Sequence, residues 1–177
     1  MQKLNYKINF LILALWAMVS ACQSQSQSKY ANTKEGVTQM AQDLRKSSPS
    51  DIKKMAPTMD DCKAIMTDEK DAQTLYDYSL KLYEQVDGMS ESPIRVREGQ
   101  TEVLVNKITI GGENMAEEQK EFSGGFKRVF DKMKKGITMY EFNYVEPGKT
   151  SGRRYDGLVY ANNKWIFVPK MWRGFRD

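Results

Sequence analysis

Among its 177 residues the sequence has no histidine. With no imidazole there is no Ser-His or Cys-His nucleophile pair, no His-liganded zinc and no imidazole general base, which speaks against a conventional hydrolase. Cysteine is almost as scarce, with only Cys22 and Cys62 and no C-x-x-C spacing, so a thiol redox centre has no support. No Walker-type loop and no G-x-S-x-G motif occurs, and the pairs Gly111-Gly112 and Gly124-Gly125 read as turns rather than phosphate loops. Carboxylates do not cluster at a catalytic or metal-ligating spacing. Asp60-Asp61 and Asp68-Glu69 sit at helix starts, where the helix dipole alone accounts for them. No catalytic residue, cofactor or metal ligand is assigned.

Long apolar runs are also missing, apart from residues 10–19. Lys3 and Lys7 precede that run, and Ser20, Ala21 and Cys22 follow it. A permanent membrane span needs about 20 apolar residues, so this shorter run reads as the h-region of a cleavable leader. Val19, Ser20 and Ala21 before Cys22 resemble the lipobox of bacterial lipoproteins. The resemblance implies a diacylglyceryl thioether on Cys22, cleavage between Ala21 and Cys22, and acylation of the new amino group. Each buried methylene contributes roughly 0.8 kcal/mol, and more than one chain gives stable anchoring. The alternative is an ordinary secretory leader with a coincidental cysteine.

The chain then divides into a leader, 1–21, a polar tether, 22–32, and a single domain, 33–177. The Gln-Ser repeat after Cys22 has no core-forming face and no acidic cluster. A periplasm-facing anchor in the bacterial envelope is expected, with inner or outer membrane left open. Nucleic acid is discounted as a partner by that location. With Cys22 lipidated, Cys62 has no disulfide partner and is expected as a small buried apolar residue, the other reading being a free reactive thiol.

Helical periodicity fills the first half. Asn32 and Thr33 precede Val37, Met40, Ala41 and Leu44 at i, i+3, i+4 and i+7; Ser48-Pro49 opens a second helix with Ile52 and Met55 inward. Thr58 with Asp61 forms a capping-box pattern over Cys62, Ile65 and Met66. Thr67 is expected to open the fourth and most strongly patterned helix, with Ala72, Leu75, Tyr76, Leu82, Tyr83 and Val86 apolar up to Gly88. After Pro93 the period changes. Runs 102–110, 137–145, 154–160 and 164–168 read as strands, 125–135 as a helix, and Asn162-Asn163 as a tight hairpin turn. The expected fold is α+β, with N-terminal helices packed on one face of a curved antiparallel sheet of about four strands that ends in a β-meander. This element order loosely resembles nuclear-transport-factor-like and cystatin-like cones, which implies a bent sheet whose mouth can hold a ligand. No site residue is carried over from that resemblance.

Charge is segregated along the chain. Residues 22–122 hold 13 basic and 18 acidic side chains, net −5, and residues 123–177 hold 12 basic and 5 acidic, net +7. Either the second half presents an anion-attracting surface, or it pairs with the acidic helices. In the last strands Trp165 and Phe167 alternate with Ile166 and Val168, so both faces are apolar. Such a strand is buried on two sides or lines a pocket. Beyond Pro169, Trp172 and Arg173 either anchor a partner, or Trp172 plugs the core while Arg173 pairs with Asp156. Tyr155, Asp156, Lys170, Trp172 and Arg173 are therefore the candidate ligand-binding residues. The leading expectation is a non-enzymatic envelope lipoprotein that binds an anionic envelope component or an acidic protein. The alternatives are a small-pocket enzyme using Asp156 or a tyrosine as acid or base, and a structural tether between membrane and cell wall.

Overall fold

A computed structural model describes residues 28–176. The leader and Cys22 lie outside the described residues. The first helix, α1 (Lys34–Leu44), starts where the Thr33 side chain accepts the Gly36 N–H at 3.1 Å, and it buries Val37, Met40, Ala41 and Leu44. Helices α2 (Pro49–Lys53) and α3 (Met59–Ile65) each begin in a reciprocal capping box, Ser48 with Asp51 and Thr58 with Asp61. The long helix α4 (Glu69–Asp87) is capped by Asp68 rather than Thr67, since the Asp68 carboxylate accepts the Asp71 N–H at 2.8 Å. Thr67 instead donates its N–H and its hydroxyl to the Lys132 carbonyl, at 2.8 and 2.9 Å, and ties the helix start to a distant loop.

Four strands, β1 (Glu102–Thr109), β2 (Thr138–Val145), β3 (Gly152–Ala161) and β4 (Lys164–Phe167), form one antiparallel sheet in sequential order. Asn162 and Asn163 turn the β3–β4 hairpin at φ of 50° and 60°, the left-handed pair that a two-residue hairpin needs. The expected class is present, but the helices cover both faces of the sheet. Tyr140, Phe142, Tyr144, Leu158, Trp165 and Phe167 pack against α1, α2 and the end of α4. Ile108, Met139, Val159, Ile166 and Val168 pack against α3, the start of α4 and residues 122–133. β2 is buried on both faces from Met139 to Val145, and covering one face alone would have left Ile108, Met139, Val159 and Ile166 of the other in water. α4 serves both layers: Ala72 and Leu75 enter one cluster, Tyr83 and Val86 the other. The Tyr83 hydroxyl donates to the Phe167 carbonyl at 2.6 Å, holding α4 beside the β4 edge. Side chains thus fill both sheet faces where a cone would have its mouth.

Between β1 and β2 the expected helix over 125–135 breaks up. Short turns surround α5 (Met115–Glu118) and α6 (Lys127–Phe130), and Phe122, Phe126 and Phe130 cluster at 5.8–6.0 Å. The helix stops because the backbone of 132–134 is taken by other partners. Thr67 N–H donates to Lys132, Lys134 N–H donates to Ile65 at 2.8 Å, and Met133 forms a β-bridge with Met66. Among the described residues, no helix is long and apolar enough to cross a membrane.

Candidate functional site

β4 is shorter than its neighbour, and the site follows from that mismatch. It pairs only with Leu158 to Ala161 of β3. The chain then leaves the sheet: Val168 N–H donates to Gly157 at 2.9 Å, and the Asp156 carboxylate accepts the Lys170 N–H at 2.6 Å. Lys170 itself is left-handed, at φ 53°. Gly157 has φ +78°, and a Cβ there would stand 2.1 Å from the Val168 carbonyl oxygen, so only glycine lets the two segments approach. The following 3₁₀ turn, Met171–Phe175, folds back over α4. As a result, among the described residues no strand pairs with the outer edge of β3 over 152–155.

α4 faces this open edge with Tyr78, Lys81, Leu82 and Gln85, a stripe at i, i+3, i+4 and i+7 beside its buried stripe. Helix, strand edge and the segment at 93–95 enclose an open groove of about 660 Å³, with Leu82, Ile94 and Phe167 among its apolar lining. Two tyrosine hydroxyls fix its walls. Tyr78 donates to the Pro169 carbonyl at 3.1 Å, and Tyr155 accepts the Arg95 N–H at 2.6 Å while donating to the Arg95 carbonyl at 2.9 Å.

Six cations line the groove, namely Lys81, Arg95, Arg153, Arg154, Lys170 and Arg173, against one carboxylate, Asp156. Arg154 lies 3.5 Å from buried Glu141, and Arg95 lies 3.5 Å from Glu91. Lys81, Arg153 and Lys170 have no ion-pair partner among the described residues. Burial pushes the Asp156 carboxyl above its usual range, against the opposing pull of the Lys170 N–H and the charges of Lys170, Arg154 and Arg173. Glu141 is likewise raised by burial, with Asn106 and Arg154 acting in the other direction.

The fold brings Tyr155, Asp156, Lys170 and Arg173 to one groove. Trp172 is turned elsewhere. It packs against the core cluster that includes Phe126 and Phe130, with Arg176 and Arg173 over its ring at 4.4 and 5.5 Å. A Cβ on Gly125 would stand 2.6 Å from the indole, so Gly125 makes room for it. Trp172 is therefore a plug, and among the described residues no ion pair joins Arg173 to Asp156, one oxygen of which accepts the Lys170 N–H. Sequence reasoning missed Lys81 and Arg95. For Lys81 the signal was the second stripe on α4, which the stronger core stripe obscured; Arg95, in the segment after that helix, carried none. No family model matches this sequence, and no curated protein or solved structure matches it either.

Proposed function

We propose that the chain is a lipid-anchored bacterial envelope protein whose globular domain is a non-enzymatic module that binds an anionic partner in the groove between α4 and β3. The lipobox-like sequence ending at Cys22 supports the anchor. The observation that carries the binding role is the excess of cations over one carboxylate around an apolar floor. The side chains that could act as acid or base are already engaged in structure: Asp156 holds the Lys170 turn and the Tyr155 hydroxyl holds the backbone at Arg95. Binding needs those groups fixed, whereas general acid–base chemistry needs one of them free to exchange a proton with substrate.

Hexametaphosphate serves as a probe of the charge. Wild-type protein is expected to bind it in a salt-sensitive way, and the triple variant Lys81→Glu, Arg153→Glu, Arg173→Glu at least tenfold more weakly with an unchanged circular dichroism spectrum. Equal affinity for both proteins would refute the groove as the anion site. Mass spectrometry of protein from its host tests the anchor, with a diacylglyceryl-modified Cys22 as the expected N-terminal residue.

A further inference from the structure

The occupant of the groove can be narrowed by its shape, an inference that rests on reading the groove as a binding site for anions. One wall is a bare β-edge, which presents backbone N–H and C=O groups that stay unpaired until another strand or water meets them. The edge over 152–155 is bare because β4 ends at Phe167 and Asp156 and Gly157 divert the chain that follows it. The opposite wall is the stripe from Tyr78 to Gln85, eight residues and seven rises of helix, so the groove runs about 10 Å. The open edge has a similar length, about that of three or four extended residues. The cations belong to different walls: Lys81 on α4, Arg153 on β3, Lys170 and Arg173 on the final turn, Arg95 on the segment that Tyr155 holds. A compact anion could reach only some of them, whereas an extended chain with acids at intervals could meet them in turn.

We propose that the groove takes an extended, acidic segment of a partner protein, which continues the sheet by pairing its backbone with β3 over 152–155 while its carboxylates meet Lys81, Arg153 and Lys170. Main-chain bonds would supply register, and the charges would supply selectivity. Leu82, half-buried above the buried Ile94 and Phe167, offers apolar contact to a side chain of such a strand.

The test uses end-blocked nonapeptides in which Glu alternates with Val or Thr, and a second set of the same charge with proline at every other position, which cannot pair as a strand. The alternating peptides are expected to bind at least tenfold more tightly than the proline set and to slow hydrogen exchange of amides within 152–155. Lys81→Glu and Arg153→Glu should each weaken that binding at least tenfold at an unchanged unfolding midpoint, while Lys149→Glu, exposed and outside the groove, should not. Equal binding of both peptide sets without amide protection would overturn strand pairing. Binding of hexametaphosphate or of phosphatidylglycerol vesicles, with neither peptide set bound, would overturn the peptide occupant and leave the anionic groove standing. If no anion binds and the charge reversals change nothing, both readings fall.

Discussion

Asp61 is buried to 3 % exposure, and four groups converge on its carboxylate: Thr58 N–H at 2.8 Å, the Thr58 hydroxyl at 2.7 Å, Asn162 at 2.9 Å and the Lys164 ammonium. Burial alone would raise its pKa, but Lys164 and the hydrogen bonds bring it below the ordinary aspartate value. A carboxyl whose folded pKa is depressed stabilises the fold above its unfolded pKa, near 3.9, and loses that contribution as pH falls through the lower folded value. Urea unfolding should therefore show an acid limb below about pH 4 that is shallower in Asp61→Asn. At neutral pH the Asp61→Ala substitution should lower stability by about 1–2 kcal/mol, because it removes the capping box of α3 and the shared acceptor of Asn162 and Lys164. The capping box was legible as Thr58-x-x-Asp61; the hairpin partners were not, because they are about a hundred residues away. Cys62 was legible as well. It is fully buried, with its thiol pushed up to about 12 by burial and by Asp61. In a Cys22→Ser background Cys62 should not react with a disulfide reagent at pH 8 until the protein is unfolded, when one equivalent should react.

At the scale of elements, the pattern of each segment was readable and its surroundings were not. Capped helices and alternating strands announce themselves by local spacing, and the two asparagines of the hairpin turn take the left-handed conformations their chemistry favours. Whether a helix continues past Phe130 depends on whether distant backbone claims its carbonyls and amides, and here α3 and the start of α4 do so. Trp172 and Arg173 show the same division within one turn. They are adjacent in sequence, yet the first closes the core beside Gly125 while the second lines the groove. Trp172→Ala should therefore destabilise the protein by roughly 2–3 kcal/mol, since a half-buried indole leaves part of its volume empty. Arg173→Ala should change stability by less than about 0.5 kcal/mol and weaken anion binding. Chemical denaturation of the two variants, with hexametaphosphate titrations on each, separates the roles; equal loss of stability would place both residues in the core.

The whole molecule resolves the charge asymmetry of its sequence in two ways. Some basic residues of the second half neutralise acids of the helical half, as Lys132 does Asp71 at 2.8 Å and Lys164 does Asp61. Others gather with Lys81 and Arg95 of the first half in the groove, a grouping that only the packing of α4 against the β3 edge creates. The domain begins near the opposite end of β3 from that groove. The Trp165 indole N–H donates to the Tyr30 carbonyl at 3.1 Å, and Lys29 and the Tyr30 hydroxyl both bind Asp43. Trp165 pairs with Tyr160, and from Tyr160 to Tyr155 the strand runs about 17 Å. If Cys22 carries lipid, the six residues 22–27 can reach no more than about 20 Å, which keeps the hairpin end near the bilayer. The groove can then face away from the membrane that holds the anchor. Anchoring and binding should accordingly be separable. Cys22→Ser should move the protein from the membrane to the soluble envelope fraction, while its unfolding midpoint and its affinity for a soluble acidic peptide match those of the lipidated protein in detergent. A variant that stays with the membrane would show that the domain or the uncleaved leader holds it there, and a loss of peptide affinity would mean that the groove needs the bilayer to form.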